Sequence, residues 1–260
     1  MKINFLKLCL IVFFLSMTNA HALYGETTRK IIYASGRWVP YSYIDDYGEA
    51  RGVYIDILKE IFEKQLKLQV DYQEYPWKRA QRYVKDGLAD FFITVVSEER
   101  LQYTVKTELP VMEMYLHVFT YTDHVQLSKI RTIGSGADIL DLGLIPVTNL
   151  GNAWHKNNID RLGVNTHYVP SEENAFLFLA AKRADITIEP LIAGNHLIKK
   201  LGLASSIIPT EARFGPLTFH LFMSKKSKYV KMMNEIDQVI SGLHQSGKIN
   251  RILEPYQNMR

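Results

Sequence analysis

Two large aromatic side chains flank a proline directly after the first predicted strand. Residues 38–41 read Trp-Val-Pro-Tyr, a turn follows at 45–48, and Gly52 opens a helical pattern. In open α/β sheets, ligands bind at the carboxyl ends of the parallel strands, where this loop falls. The loop is therefore a candidate ligand contact. Its alternative role is to close the end of the sheet, because such rings are costly to leave in water.

Motifs of the common enzyme classes are missing. The eight histidines form no ligand pair at helical spacing, so the sequence predicts no metal site. It contains no G-x-S-x-G, S-x-x-K or P-loop motif. Residues 134–136 (Gly-Ser-Gly) begin like a dinucleotide fingerprint but lack its third glycine, and we interpret them as a loop leading into a short helix. We expect no cofactor and no catalytic residues, although carboxylate pairs for acid–base chemistry form only in the fold.

The first 22 residues have the layout of a secretory signal peptide. Lys2 and Lys7 precede an apolar run at 8–15, and residues 20–22 (Ala-His-Ala) form a cleavage site. We expect cleavage after Ala22 and an exported product. The alternative is an uncleaved N-terminal anchor.

Composition narrows the function classes further. The 260 residues are 47% hydrophobic, which is typical of one or two globular domains. The chain has 31 Lys and Arg residues and 27 Asp and Glu residues. Removal of the signal peptide takes away Lys2 and Lys7, so the net charge of the mature chain is 29 − 27 = +2. A nearly neutral chain is not expected to bind nucleic acid. The single cysteine, Cys9, lies in the signal run, so the mature chain has no thiol for a disulfide, a nucleophile or a metal site.

Strands and helices alternate in two runs along the chain, which predicts an α/β protein with a mostly parallel sheet in each unit. In the first run we expect strands at 30–35, 68–72 and 89–95 and helices at 53–66 and 77–86. In the second run we expect strands at 144–148, 164–169 and 185–188. We also expect three helices there, one after 152, one after 171 and one that ends at about 200. Extended stretches at 111–121 and 217–223 are long enough to run from one unit to the other. An apolar helical stripe over 229–243 is expected to pack back on the first unit.

The order of these motifs resembles the family 3 solute-binding proteins, which are the polar-amino-acid receptors of ABC importers. Besides 38–41 and 52–56, the matching segments are 75–80, 87–90, 97–100 (Ser-Glu-Glu-Arg), 151–152, 171–175, 184–189 (Ala-Asp-Ile-Thr-Ile-Glu) and 247–249. The resemblance implies the two-lobed periplasmic-binding-protein type II fold, or Venus flytrap, with two crossing hinge strands and hinge closure around a ligand. The implied lobes are 23–117 plus 218–260 and 118–217.

The resemblance also implies which residues bind the ligand. Arg100 falls on the arginine that holds the ligand carboxylate with two parallel hydrogen bonds, and Glu189 falls on the acid that meets the ammonium group. Trp38 and Trp77 fall on the aromatic residues that enclose the ligand side chain. The complete predicted set is Trp38, Tyr41, Trp77, Thr94, Arg100, Gly151, Asn152 and Glu189. Gly151 and Asn152 would offer backbone amides, and Thr94 a hydroxyl.

Other roles stay open for several of these residues. Arg100 would serve equally in a surface ion-pair network, Trp77 in core packing, and Glu189 as a charge at a helix N-terminus. The segment from Asp90 to Arg100 is about two residues shorter than the family pattern, and a glutamate stands at 189 where aspartate is usual. These departures leave room for a ligand that is not an ordinary α-amino acid.

The function implied by the resemblance is a monomeric periplasmic receptor that captures a small amino-acid-like or carboxylate ligand and presents it to an inner-membrane ABC permease. One alternative is an exported dehydratase acting on a cyclic carboxylic acid, with Glu189 or Asp185 as general acid. Another is a sensor that signals to a separate membrane partner. The ligand is open, and so is whether any of five further side chains faces it: Glu113, Tyr115, His117, Trp154 and His155.

Overall fold

The structure is a computed structural model that describes residues 30–257, so the predicted signal peptide lies outside the described residues. The strands are β1 (Ile31–Ser35), β2 (Tyr43–Ile44), β3 (Ala50–Arg51), β4 (Val70–Glu74), β5 (Phe91–Thr94), β6 (Thr104–Lys106), β7 (Met112–Tyr121), β8 (Val147–Asn149), β9 (His167–Val169), β10 (Thr187–Pro190) and β11 (Ile207–Ser224). The helices are α1 (Val53–Leu58), α2 (Trp77–Asp86), α3 (Glu98–Tyr103), α4 (Leu127–Ile130), α5 (Gly136–Asp141), α6 (Ala153–Asn158), α7 (Glu172–Ala180), α8 (Leu191–Lys200), α9 (Met233–Gln245) and α10 (Lys248–Gln257). Helix α1 continues in π-helical turns over Lys59–Gln65, and short 3-10 helices lie at Asp160–Leu162 and Lys228–Met232.

One hydrogen-bonded sheet runs through the described chain in the order β10-β7-β11-β5-β1-β4, with β6 also paired to β11. Strand β1 is parallel to β4 and β5, as the alternating pattern predicted. Strands β8 and β9 form a second parallel pair, which one parallel bridge joins to the chain before β10. The sheet is nevertheless mixed, because β7 and β11 run antiparallel to each other and to their neighbours β10 and β5.

The two extended stretches that the sequence predicts to cross from one unit to the other are strands β7 and β11. Strand β7 occupies the predicted stretch, whereas β11 begins ten residues earlier than expected, at Ile207. Gly215 and Pro216 in this segment are typical strand breakers and concealed it in the sequence. They fall at one of two register shifts between β11 and β7, where a bulge interrupts the ladder and an unpaired residue is tolerated.

Along strand β7 the buried side chains pass from one hydrophobic core to another. Met112 and Met114 belong to a core built mainly from residues before 115 and after 218, whereas Leu116 and Val118 belong to a separate core of the middle segment. The apolar stripe of α9 packs in the first of these cores, which confirms the expectation that it returns there. The change of core between Met114 and Leu116 lies close to the first predicted boundary, and we keep the proposal that the lobes meet at 117/118 and 217/218, with 23–117 plus 218–260 as lobe 1 and 118–217 as lobe 2.

The aromatic loop is fixed by the backbone around Gly52. This glycine has φ 114° and ψ 173°, a conformation open almost only to glycine. It lets the next two backbone N–H groups donate to the carbonyl oxygens of Pro40 and Tyr41, at 3.1 and 2.8 Å. The N-terminus of α1 is therefore bonded directly to the loop that presents Trp38.

No helix within residues 30–257 combines the length and hydrophobicity needed to cross a membrane. In the same residues, no group of three or more His, Cys, Asp or Glu side chains is placed to hold a metal ion.

The geometry at Gly52 predicts a large loss of stability for Gly52→Ala. A Cβ there would lie 2.6 Å from the carbonyl oxygens of Pro40 and Tyr41, so the backbone must shift in addition to adopting a strained φ. We expect the free energy of unfolding to fall by about 2–4 kcal/mol in urea denaturation.

The matched control is Gly48→Ala. Gly48 also has a positive φ of 81°, but its Cβ would meet nothing within 4 Å, so we expect a loss of only about 1–2 kcal/mol. Equal losses for the two variants would contradict the close approach at Gly52.

Candidate ligand-binding cleft

Two neighbouring cavities lie beside the aromatic loop, and the second of them also reaches the middle segment of the chain. The first has a volume of about 270 Å³ and is lined by Tyr33, Ser35, Gly36, Arg37, Trp38, Ser42, Tyr54, Trp77, Ile93, Thr94 and Phe219. The second has a volume of about 300 Å³ and is lined by Trp38, Met114, Leu116, Asn149, Gly151, Asn152, Trp154, Glu172, Ile188, Glu189, Pro190, Leu217 and Phe219. Trp38 and Phe219 line both, so we treat the two cavities as one cleft.

The tryptophans predicted from the sequence lie in this cleft. Trp38 is held by stacking on Tyr41, with ring centroids 4.2 Å apart, and it also packs against Phe219. Trp77 opens α2 as predicted and packs edge to face on Phe92, with centroids 5.4 Å apart. Both tryptophans line the first cavity, and Thr94 lies there too.

Tyr41 itself is fully buried and lines neither cavity. Its hydroxyl group lies close to the backbone N–H of Ala193, at the start of α8. Ile192 and Ala193 belong to the same core cluster as Tyr41. Tyr41 therefore supports Trp38 on one side and packs beside the start of α8 on the other.

Arg100 lies beside the cleft and lines neither cavity. Its Nε donates to Oε1 of Gln81 at 3.1 Å, and one terminal nitrogen donates to the Val95 carbonyl oxygen at 3.0 Å. The guanidinium lies 5.8 Å from the centre of the Trp77 ring. Partial burial lowers the pKa of Arg100, but an arginine stays protonated in a protein, so a positive charge is held just behind Trp77.

The loop before α6 contributes to the second cavity through Gly151 and Asn152. The Asn152 side chain caps α6, because its Oδ1 accepts from the His155 backbone N–H at 3.0 Å. Its Nδ2 donates to the Thr148 hydroxyl at 2.9 Å. The side-chain amide is thus committed to the local fold, and the backbone of this loop faces the cavity.

Glu189 is the buried acid of the cleft. It lies on β10, where pairing with His117 of β7 fixes its backbone, and its side chain is only 6% exposed. Oxygen Oε1 has no hydrogen-bond partner among the described residues. Burial, and secondarily the nearby charge of Glu172, raises the pKa of Glu189 to about 8. The carboxyl group is therefore protonated at neutral pH, and a cation or a strong donor placed beside it would favour the ionised form.

Sequence reasoning missed several residues that line the cleft, among them Glu172, Phe219 and Tyr54. Glu172 lines the second cavity and receives a 3.0 Å hydrogen bond from Asn149, whereas its position suggested only a charge in the first turn of α7. Phe219 lies on a crossing strand and Tyr54 on a helical stripe, which are patterns shared with core residues. Of the five side chains left open, Trp154 lines the second cavity, and the other four line neither.

Sequence comparison agrees with this architecture. Residues 31–259 match the family described as bacterial extracellular solute-binding proteins, family 3. The chain belongs to this family. A comparison with curated proteins found no match.

Solved structures of similar fold share little sequence with this solute-binding protein. A histidine kinase sensor domain resembling periplasmic binding proteins gives a TM-score of 0.66 at 18% identity, covering 90% of this chain and 98% of that one. The second substrate-binding domain of a putative amino acid ABC transporter from Streptococcus pneumoniae gives a TM-score of 0.65 at 15% identity, and the match covers 88% of this chain and 100% of that one. An ancestral amino-acid-binding protein, described as a precursor of cyclohexadienyl dehydratase, gives a TM-score of 0.65 at 16% identity, and the match covers 88% of this chain and 95% of that one. At these identities the likeness shows the fold alone, which is the predicted two-lobed α/β type.

The raised pKa of Glu189 predicts how the stability of the free protein depends on pH. An unfolded chain loses this proton near the ordinary pKa of 4.5, whereas the folded protein keeps it up to about pH 8. Between these values the folded state binds more protons, so this group makes the free energy of unfolding fall as pH rises, by at most about 1.4 kcal/mol per pH unit. Urea denaturation from pH 5 to 8 should therefore show a flatter profile for Glu189→Gln than for the wild type.

Glu235→Gln is the control, because Glu235 is exposed on α9. Its profile should run parallel to that of the wild type. A Glu189→Gln profile that also runs parallel would show that the folded protein does not hold the proton.

Proposed function

We propose that this chain is a periplasmic solute receptor that captures a small amino-acid-like or carboxylate ligand in the cleft and presents it to an inner-membrane ABC importer. The observation on which this proposal rests is the buried Glu189 carboxyl group, which has an unpaired oxygen and faces a cavity shared with Trp38. Burial of such a group costs free energy in the empty protein, and a ligand that supplies a donor there removes that cost.

Two further features support a zwitterionic ligand. The carboxyl groups of Glu189 and Glu172 line the same cavity, where they suit a ligand ammonium group. The positive charge of Arg100 lies behind Trp77 at the other end of the cleft, where a small rotation of the side chain would bring its planar fork to a ligand carboxylate. Trp38 and Trp77 would contact the rest of the molecule.

Hinge closure would complete the site. In this proposal β7 and β11 connect the two lobes, and one of the two register shifts of β11, between Phe214 and Leu217, lies next to the boundary at 217/218. Closure would remove water from the ligand and so strengthen its contacts with Arg100 and Glu189. In this proposal the leader is removed after Ala22, the receptor acts as a monomer, and it binds without chemical turnover. The fold shared with an ABC transporter substrate-binding domain supports the importer as partner.

A sensor is the second candidate function, and the fold shared with a histidine kinase sensor domain favours it. The same cleft and closure would then act on a separate membrane signalling protein. Both functions need the same ligand site, so they differ only in the partner.

Arg100→Ala should abolish stabilisation by ligand. Loss of one partner of a buried charge pair costs roughly 2–5 kcal/mol, which is about 30-fold to several-thousand-fold in affinity. The measurement is a thermal-shift screen of the mature protein with the twenty amino acids, polyamines and small organic acids. A compound that raises the melting temperature of the wild type should have no effect on Arg100→Ala at the same concentration.

Arg82→Ala is the control, because Arg82 is exposed on α2. It should respond to ligand like the wild type. An undiminished response of Arg100→Ala would remove Arg100 from the site.

Deletion of the gene distinguishes importer from sensor. If the protein delivers its ligand to an importer, uptake of the radiolabelled compound identified in the screen should drop to the background of cells lacking the permease. Unchanged uptake together with a lost transcriptional response to that compound would support the sensor and contradict delivery to an importer.

A further inference from the structure

The first cavity has aromatic walls and almost no charge. Five aromatic rings line it, those of Tyr33, Trp38, Tyr54, Trp77 and Phe219. No acidic side chain is among its lining residues, all of which the structure describes. Arg37 is the one charged residue there, and it is half exposed, donates to the Ile44 carbonyl oxygen at 2.7 Å and lies 3.6 Å from Glu74. This end of the cleft therefore offers nothing to compensate a cationic side chain.

Neutral hydroxyl groups form the polar part of the same cavity. The Ser42 hydroxyl donates to that of Ser35 at 3.0 Å, and the buried hydroxyl of Tyr33 lies close to both serines. Thr94 adds another hydroxyl to the lining. All of these groups can donate or accept, and none is charged.

The Tyr54 hydroxyl differs from these because it has no hydrogen-bond partner among the described residues. Tyr54 is 2% exposed. Its ring is held between Tyr41 and Phe219, with centroids 5.6 and 6.0 Å away, and it also packs on Trp38. Burial raises the pKa of Tyr54 well above its ordinary value, so the group remains a neutral O–H. A buried, unpaired hydroxyl is rare in folded proteins and destabilises them, so it requires an explanation in a residue that lines a cavity.

We propose that the Tyr54 hydroxyl hydrogen-bonds an uncharged polar atom of the ligand, and that the receptor selects amino acids with a flat, neutral, polar side chain over those with a cationic one. This inference rests on the proposed function, because it assigns the side-chain end of the same cleft. The cavity of about 270 Å³ holds a group of that size, since it equals roughly nine water volumes in the liquid. Flat groups also suit the two tryptophan faces.

The test compares ligand pairs by calorimetry on the wild type and on Tyr54→Phe. The polar neutral probes are L-tyrosine, L-glutamine and, at pH 8, L-histidine; the apolar reference is L-phenylalanine; the charged probes are L-arginine, L-lysine and L-glutamate. We expect at least one polar neutral probe to bind the wild type more tightly than every charged probe. Tyr54→Phe should weaken that probe about tenfold, the usual worth of one neutral hydrogen bond, and leave L-phenylalanine within about twofold.

A second readout separates a ligand contact from a structural role. In the free protein, Tyr54→Phe removes an unpaired buried hydroxyl and keeps the ring, so its melting temperature should equal or exceed that of the wild type. The control Tyr256→Phe removes a hydroxyl that bonds Asp56 at 2.6 Å, away from the cleft, and should leave every affinity unchanged.

Three results would overturn the inference. Tightest binding of L-arginine, L-lysine or L-glutamate would overturn the ligand class while leaving the receptor function in place. Unchanged affinity of the best polar probe in Tyr54→Phe would show that the hydroxyl does not contact ligand. Failure of the entire panel, together with no response in the wider thermal-shift screen, would overturn the proposed function as well.

Discussion

A buried carboxyl group that lacks a full set of hydrogen bonds is the constraint on which the cleft depends. Glu189 stands on β10 with Glu172 nearby, and the two acids share a cavity with Trp38 and Trp154. In the empty protein the carboxyl group keeps its proton at neutral pH, which lowers the cost of burying it. A ligand that brings a hydrogen-bond donor or a positive charge favours the ionised carboxylate. Such a ligand should therefore bind more tightly than one that lacks this group.

The rest of the fold holds that group opposite the aromatic loop. Pairing of β10 with β7 fixes the position of Glu189, and pairing of β7 with β11 fixes Phe219, which lines both cavities. Gly52 bonds the loop of Trp38 to α1 on the opposite side. Each side of the cleft is therefore attached to regular structure, and the crossing strands are the elements through which the sides can move relative to each other.

Local patterns in the sequence predicted most elements, because strand alternation, helical stripes and caps depend on near neighbours. The beginning of α7 directly after Ser171 and the beginning of α2 at Trp77 were both predicted and confirmed. The length of β11 was not, since its glycine and proline are tolerated only where β11 itself bulges against β7. Glu172 and Tyr54 escaped prediction for a different reason: their positions in the cleft arise from packing between elements distant in the sequence, whereas their local patterns match ordinary helix residues.

All three tryptophans of the chain line the cleft, which permits a direct test of where a ligand binds. The measurement is intrinsic tryptophan fluorescence during titration with a compound that stabilises the protein against heat. The account predicts a saturable change in intensity or emission maximum with one site per chain, because a ligand among Trp38, Trp77 and Trp154 must alter their surroundings. A stabilising compound that leaves the emission unchanged at saturation would bind elsewhere and contradict the account.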